Sequence, residues 1–305
     1  MKKLLLFLSI CLIIGRLCAS GNKSAVARIF SCPHLRGIVD MKVLLGQYVK
    51  KGQLLFKIST DYMQIGRAKC ENSLWYYKEE YKRVKKLSKT HSKSVENLQE
   101  ARRNLEHSIG SLKIRDLLIN KWSQYYAPFD GIVTKINNYS GSGVASSSGN
   151  YNINNAILEV TKLEDYRKEE FKIGSPLAQV VTMLEGIVEL KVSLGEKVKK
   201  DQLLFNINTA FYEIRKATQK ANVEYNKARF ERTKQLYEQN NGSLKHYQTA
   251  VYDYKNAVLK LKSIELLINR RSSYHSPFDG RVTDIIHYTG SYVFVGHKVL
   301  EVTKI

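Results

Sequence analysis

Apolar residues change their spacing twice along the first half of the chain. Between Gly37 and Ile58 they form short runs interrupted by Gly46 and Gly52, a pattern typical of β-strands joined by tight turns. From Asp61 to Lys121 proline is absent and apolar residues recur at helical steps, which predicts long helices paired along a coiled-coil seam. The seam residues predicted for the second helix are Leu98, Leu105, Leu112 and Ile119, with Val95 and Ile109 between them.

Short β-type runs return after Tyr125, and Ile132–Ile136 is one of them. Polar residues at His91, Ser92 and Lys93 interrupt the helical pattern and predict the turn of a helical hairpin. Two half-sheets separated by such a hairpin can bury their apolar faces only against each other. The pattern therefore predicts an α+β fold in which a small β-sandwich carries an inserted antiparallel coiled-coil α-hairpin.

The whole pattern occurs twice. Four segments recur at a constant offset of 149 residues: Gly37–Val39 with Gly186–Val188, Leu54–Phe56 with Leu203–Phe205, Leu117–Asn120 with Leu266–Asn269, and Pro128–Gly131 with Pro277–Gly280. The offset falls to 142 for Leu158–Lys162 and Leu300–Lys304, because a Gly-, Ser- and Asn-rich loop from Ser140 to Asn155 lengthens the first copy. A repeat of this kind predicts two homologous domains.

The domain boundaries follow from the repeat. Copy one is predicted at residues 26–162 with its hairpin at about 61–122, and copy two at 178–305 with its hairpin at about 210–271. Residues 163–177 are predicted to link them, and the second hairpin is expected to turn at Asn240–Gly242. The turn residues to which we assign a structural role in the sandwiches are Gly37, Gly46, Gly52, Asp130, Gly131, Gly186, Gly195, Asp279 and Gly280.

The N-terminus has the features of a secretory signal peptide. Lys2 and Lys3 precede an apolar stretch from Leu4 to Gly15, and small residues at Ala19–Gly21 favour cleavage near that point. Residues 1–20 are therefore predicted to be removed, and the mature chain is expected in the periplasm or cell envelope, peripheral to the membrane. Of the four cysteines, Cys32 and Cys70 would remain; the sequence leaves open whether they pair.

Composition adds a strongly basic charge to this picture. The formal net charge is +21, which could favour nucleic acid, an anionic membrane surface or an acidic partner. The basic residues are interleaved with glutamates along the helical patterns, and no nucleic-acid recognition motif is found, so no nucleic-acid partner is predicted. The seven histidines are scattered without the spacing of a zinc site. No nucleophile–base pair and no phosphate loop is found, so neither an enzyme nor a metal site is predicted.

The repeated motifs resemble periplasmic adaptor subunits, the HlyD-like membrane fusion proteins of tripartite efflux and type I secretion systems. Their split lipoyl domain is similar to the segments Gly37–Leu54 and Ala127–Val133, and to Gly186–Leu203 and Ser276–Val282 in copy two. The resemblance implies two tandem barrel-sandwich (lipoyl-like) domains, each with an inserted hairpin. Lipoyl domains carry a cofactor on a lysine at a turn, but that turn is occupied here by Thr60–Tyr62 and Thr209–Phe211, so no cofactor is predicted.

The family's hairpin tip carries an Arg-Leu-Ser signature that contacts the end of an outer-membrane channel. Residues with this spacing are predicted to be the docking tips: Arg83, Leu87 and Ser94 in copy one, and Arg232, Leu236 and Ser243 in copy two. By this resemblance the partners are a TolC-like outer-membrane channel protein and an inner-membrane transporter, and the chain is expected to form oligomers. The alternative from the residues alone is a secreted basic coiled-coil binding module that attaches to anionic envelope components.

Overall fold

The computed structural model describes residues 26–29, 37–90, 94–140, 143–144, 156–166 and 177–305. The predicted signal peptide, Cys32, the turn at His91–Lys93 and most of the predicted linker lie outside the described residues. Strands of both copies belong to one compact unit, and the four long helices belong to a second compact unit. The two units are described separately below.

In the part of copy one that the structure describes, eight strands belong to the sheet-forming unit. These strands are β1 (Val26–Ile29), β2 (Gly37–Met41), β3 (Tyr48–Val49), β4 (Leu54–Ile58), β5 (Gln124–Tyr126), β6 (Gly131–Ile136), β7 (Gly143–Val144) and β8 (Leu158–Lys162). They form two antiparallel four-stranded sheets with the orders β1-β8-β6-β3 and β5-β4-β2-β7. Each sheet therefore combines strands that precede the long helices with strands that follow them.

Copy two contributes eight strands with the same arrangement. These strands are β9 (Leu177–Val181), β10 (Gly186–Leu190), β11 (Lys197–Val198), β12 (Leu203–Ile207), β13 (Ser273–His275), β14 (Gly280–Ile285), β15 (Tyr292–Val293) and β16 (Lys298–Lys304). The sheet orders are β11-β14-β16-β9 and β13-β12-β10-β15. A register shift lies between Val133 and Lys135 in copy one and between Val282 and Asp284 in copy two, so even this irregularity is repeated.

Alternating burial along the strands explains why these residues form sheets. In β6 the buried residues include Val133 and Ile136, and in β14 the buried residues include Val282 and Ile285. Beside them, the Phe56 and Tyr125 rings stack at 4.5 Å, and the equivalent rings of Phe205 and Tyr274 stack at the same distance. Both copies therefore use the same aromatic pair to fill their apolar core.

The helical unit contains two pairs of long helices. Helix pair one consists of α1 (Asp61–Lys89) and α2 (Val95–Asn120), and helix pair two consists of α4 (Ala210–Glu238) and α5 (Leu244–Arg271). The short α3 (Leu163–Tyr166) follows β8 and belongs to the sheet-forming unit. At 1.5 Å per residue, the 29 residues of α1 and of α4 extend about 43 Å. The chain is thus an α+β protein with antiparallel sheets, as the pattern predicts.

Contacts within each pair show that its helices run antiparallel. The Arg67 guanidinium donates to the Asp116 carboxylate at 2.6 Å in pair one, and Arg229 donates to Asp253 at 2.8 Å in pair two. The seam differs from the prediction at Val95, whose side chain is 72% exposed. Small residues occupy the buried steps instead: Ala101 and Ser108 in α2, and Ala250 and Ala257 in α5, each less than 5% exposed. Small side chains there let the helices approach closely.

Candidate functional site

The predicted structural turns adopt backbone conformations that favour glycine. Gly46, Gly52 and Gly195 have φ values of 81°, 80° and 83°, in the left-handed region. At the position equivalent to Gly52, Asp201 has a φ of 64°, which is tolerated because a short polar side chain can enter this region. These residues lie in turns of the sheet-forming unit, where they reverse the chain between short strands.

The remaining predicted turn residues hold the ends of strands together. A Cβ on Gly37, Gly131 or Gly280 would lie 2.3, 2.3 or 2.5 Å from a carbonyl oxygen, and one on Gly186 would lie 2.7 Å from the Ile207 side chain. The Asp130 carboxylate accepts a hydrogen bond from the Lys51 backbone N–H at 2.6 Å, and Asp279 accepts one from Lys200 at 2.7 Å. These contacts tie the strand segments on the two sides of each helix pair to each other.

The predicted tip residues of copy one lie at the end of helix pair one. The Leu87 carbonyl accepts hydrogen bonds from the Thr90 N–H at 3.3 Å and from its hydroxyl at 2.9 Å, which ends α1. Ser94 precedes α2 and its Oγ accepts from the Asn97 N–H at 3.2 Å, as an N-cap does. Arg83 lies one helical turn before Leu87 and is half-buried.

The predicted tip residues of copy two have the same local roles. Ser243 caps α5 by accepting a hydrogen bond from the His246 N–H at 3.2 Å. Leu236, near the end of α4, is 42% exposed, and Arg232 is exposed as well. The turn between the helices contains Asn240 with a φ of 59°, and a Cβ on Gly242 would lie 2.9 Å from the Tyr237 backbone nitrogen. A glycine at this turn therefore permits the chain to reverse tightly.

Helix α1 of copy one also packs against α5 of copy two, a contact that the sequence analysis did not predict. Arg83 donates from Nη1 to the Gln248 Oε1 at 2.7 Å, and Gln248 is only 4% exposed. Asn72 donates from Nδ2 to the Tyr252 carbonyl at 3.0 Å and to the Asn256 Oδ1 at 3.2 Å. We call this set of contacts between α1 and α5 the inner helical contact.

Aromatic and basic side chains extend the inner helical contact along both helices. The Tyr76 and Tyr252 rings lie 4.8 Å apart, and the Lys255 ammonium lies 5.1 Å from the centre of the Trp75 ring. Lys69 donates to the Ser263 hydroxyl at 3.1 Å. Burial lowers the pKa of Lys69, and the neighbouring charges of Lys260 and Arg115 lower it further. An amphipathic surface therefore joins the two helix pairs.

A second contact joins the copies inside the sheet-forming unit. The Tyr139 ring of copy one meets the Phe278 ring of copy two edge-on, with centroids 4.9 Å apart. Phe278 is 9% exposed, and the Tyr139 hydroxyl is buried, so desolvation raises the pKa of Tyr139. We call this the inner aromatic contact. The sequence contains a signal for both inner contacts, because Arg83 of the first contact and Tyr139 of the second recur in the other copy as Arg232 and Tyr288.

No group of three or more His, Cys, Asp or Glu side chains in the described part of the chain could hold a metal ion. None of the helices in the described ranges is both long and apolar enough to cross a membrane. Cys70 lies on α1, and Cys32 lies outside the described residues.

No protein-family model matches the chain, and no curated protein matches it. Several solved structures are similar to parts of it. A putative efflux transporter from Bacteroides eggerthii DSM 20697 is 26% identical, with 43% of this chain and 40% of that chain covered and a TM-score of 0.36. A MacA-MexA chimeric protein containing the Pseudomonas aeruginosa MexA α-hairpin domain is 25% identical, with 42% of this chain and 48% of that chain covered and a TM-score of 0.34.

ZneB from Cupriavidus metallidurans is 21% identical, covering 42% of this chain and 61% of that chain, with a TM-score of 0.33. The similar region thus spans less than two thirds of each of these three proteins.

Proposed function

We propose that this protein is a periplasmic adaptor-like component of a tripartite efflux or type I secretion system, which docks through the ends of its helix pairs onto an outer-membrane channel. The proposal rests on the ends of the two helix pairs, which have the same local structure in both copies. In both copies a leucine lies two residues before the end of the first helix and a serine caps the second, and in copy two Leu236 is 42% exposed. An apolar side chain exposed near a helix end gains free energy when it is buried in a groove on a partner.

The sheet-forming unit supports the same proposal through its chain order. Each long helix pair follows directly on a strand, since β4 ends at Ile58 and α1 begins at Asp61, and β12 ends at Ile207 and α4 begins at Ala210. This is where the adaptor family inserts its hairpin into a lipoyl-like barrel-sandwich domain. We therefore extend the proposal to the fold: two tandem barrel-sandwich domains, each with an inserted α-hairpin and without a bound cofactor.

The docking proposal is tested by placing a charge at both leucines. In the double variant Leu87→Asp/Leu236→Asp, each carboxylate would have to be desolvated in a groove that accepts a leucine, so we expect at least a tenfold loss of channel capture from native envelopes. The matched control is Leu44→Asp/Leu194→Asp, which changes two leucines of the sheet-forming unit that are 71% and 61% exposed.

Capture of the outer-membrane channel by the control, together with loss of capture by the tip variant, would support docking through the helix-pair ends. Circular dichroism spectra that match those of the wild type would show that the tip variant is folded. Undiminished channel capture by a folded Leu87→Asp/Leu236→Asp protein would overturn the proposal.

A second candidate function is favoured by the charge of the chain. With a net charge of +21, the protein could attach to anionic envelope polymers through its basic helix faces. Such attachment would weaken steeply as the salt concentration rises, and it would be unaffected by the leucine substitutions. Envelope binding that is lost in high salt and retained by Leu87→Asp/Leu236→Asp would therefore favour this function over channel docking.

A further inference from the structure

Three cationic side chains lie near one another where α1 packs against α5. The Lys69 ammonium donates to the Ser263 hydroxyl at 3.1 Å, which joins the two helices at this point. Lys260 precedes Ser263 by three residues and therefore lies on the same face of α5. From α2, the Arg115 guanidinium carbon lies 3.5 Å from the position that a Cβ on Gly66 would take, and Gly66 precedes Lys69 by three residues. We call Lys69, Arg115 and Lys260 the cationic cluster.

The cationic cluster has no ion pair with a carboxylate in the part of the chain that the structure describes. The carboxylates nearest to it in sequence, Glu71 and Asp116, both accept hydrogen bonds from the Arg67 guanidinium at 2.6 Å. Burial lowers the pKa of Lys69, and the charges of the other two members of the cluster lower it further. Like charges held together without a counter-charge repel, so an anion that binds among them lowers the energy of this junction.

The cationic cluster belongs to the junction of the two copies and not to the repeat. At the offset of 149 residues, each of its members and Ser263 has an uncharged counterpart in the other copy. The counterparts are Thr218 for Lys69, Ile264 for Arg115, Ser111 for Lys260 and Ile114 for Ser263. Uncharged residues therefore suffice at the equivalent positions of the other helices, and the three cations occur together only where the copies meet.

The members of the cationic cluster keep hydrogen-bond donors for a ligand. An ammonium group has three donors, and the Ser263 hydroxyl accepts one of those of Lys69. A guanidinium has five, and Arg115 donates one of them to the Met63 sulfur at 3.7 Å, which is a weak acceptor. Lys69 and Arg115 are half-buried, and Lys260 is exposed, so a small solute can approach from the side of Lys260. The cluster therefore suits a compact anion with several oxygen acceptors.

We propose that the cationic cluster binds a phosphate group at the junction of the two helix pairs. A phosphate monoester carries a charge of about −1.5 to −2 at neutral pH and has three strong acceptor oxygens, which matches three cations that lack a carboxylate. Its binding offsets the repulsion among the cations and joins α1, α2 and α5 through one anion. The site is independent of the proposed channel docking, because Lys69 lies in the first half of α1 and the predicted tip lies at the other end.

Isothermal titration with inorganic phosphate tests the site. The junction variant is Lys69→Thr/Arg115→Ile/Lys260→Ser, which takes at each position the residue of the other copy. Each new side chain therefore already occurs in an equivalent helix. We expect the wild type to bind one phosphate per chain and the junction variant to bind it at least about tenfold more weakly, because hydrogen bonds to charged groups are lost.

The matched control is the surface variant Lys78→Ser/Lys220→Ser/Lys245→Ser, which removes the same number of cations from exposed positions. All titrations use chloride buffers of one ionic strength, so that general screening is the same for every protein. We expect the surface variant to bind phosphate as the wild type does. Saturating phosphate should also raise the midpoint of thermal unfolding of the wild type by about 2–4 °C and leave that of the junction variant unchanged.

Circular dichroism spectra show whether the junction variant is folded. The single variant Lys260→Ser changes an exposed residue, and we expect its phosphate affinity to lie between those of the wild type and the junction variant. A wild-type protein without saturable phosphate binding would overturn the proposal. Equal losses of affinity in the junction and surface variants would overturn it as well, because net charge alone would then explain the binding.

Vesicles distinguish the two sources of the phosphate group. Capture of phosphatidic acid vesicles by the wild type, reversed by inorganic phosphate and reduced in the junction variant, would identify a lipid headgroup as the source. Saturable binding of inorganic phosphate without capture of these vesicles would identify the free anion. Phosphatidylcholine vesicles, which lack a phosphate monoester, are the control for both results.

Discussion

Copies one and two carry the same residues at equivalent positions, but those residues have different surroundings. Arg83 is bound to Gln248, while its counterpart Arg232 is exposed. Tyr139 has a buried hydroxyl and meets Phe278, while its counterpart Tyr288 is 56% exposed. In a tandem repeat, one surface of each copy faces the other copy and the equivalent surface of the other copy does not. A side chain can therefore be buried in one copy while its counterpart in the other copy is exposed. The difference shows that the place of a residue in the tandem repeat, and not its type alone, determines whether it is buried.

Helix pairs one and two also differ in how they are held together. In pair two, the Phe230 and Tyr254 rings stack at 5.7 Å and the Tyr237 and Tyr247 rings at 5.2 Å. In pair one these positions are occupied by Tyr81, Leu105, Ser88 and Leu98. Both pairs retain small buried residues at the same steps, so close approach of the helices is common to both and the aromatic stacking is not.

The largest expected effect on stability comes from the stacked aromatic pair that each copy has in its core. Replacing Phe56 or Phe205 with alanine removes one ring of a stacked pair from a fully buried position. We expect each substitution to lower the free energy of unfolding of its copy by about 3–5 kcal/mol. Denaturant unfolding of the two variants should give losses that agree closely; a loss several-fold larger in one copy would show that the cores are not equivalent.

A smaller and unequal effect is expected at the arginines. Arg83→Ala leaves the buried Gln248 amide oxygen without its donor, which we expect to cost about 1–3 kcal/mol of stability. Arg232→Ala changes an exposed residue, so its effect on the unfolding of a single chain should lie within about 0.5 kcal/mol. Thermal unfolding at low protein concentration measures both. Equal losses would contradict the difference between the surroundings of the two arginines.

The smallest effect is expected at Lys69, which corresponds to Thr218 in copy two. The folded pKa of Lys69 is lowered, mainly by burial, so the folded chain releases this proton at a lower pH than the unfolded chain does. Its charge therefore destabilises the fold at neutral pH, and the penalty disappears as the pH rises through the lowered pKa toward the ordinary lysine value. We expect Lys69→Thr to be more stable than the wild type at neutral pH.

The advantage of Lys69→Thr should shrink when unfolding is measured at increasing pH within that window. A difference that stays constant with pH would mean that the lost hydrogen bond to Ser263, and not the charge, determines the effect.

Much of the fold could be predicted from the sequence because its elements depend on local periodicity. The change from β-type runs to helical steps predicts the strands around Phe56 and the start of α1 near Asp61, and the repeat predicts the same for copy two. Turn glycines such as Gly52 could be predicted because a tight reversal needs a left-handed residue. The buried seam residues Ala101 and Ser108 could not be predicted, because small alanine and serine side chains do not stand out in a pattern of large apolar residues.

The candidate site was predicted less completely than the fold. The spacing of Ser94 and Ser243 before a helix identifies them as turn residues, and both cap the following helix. Heptad spacing shows which residues face the partner helix of a pair, but it does not show which face meets a third helix. For that reason the inner contacts at Arg83 and Tyr139 were not predicted, although both residues recur in the other copy.

The central claim, that equivalent residues have different surroundings in the two copies, is tested most directly by double-mutant cycles in the free energy of unfolding. We expect Arg83→Ala and Gln248→Ala to be coupled by about 0.5–3 kcal/mol, because the two side chains share a hydrogen bond. The equivalent residues Arg232 and Gln99 are exposed, so Arg232→Ala and Gln99→Ala should show no coupling within a single chain. Coupling of equal size in both cycles, or no coupling between Arg83 and Gln248, would contradict the account.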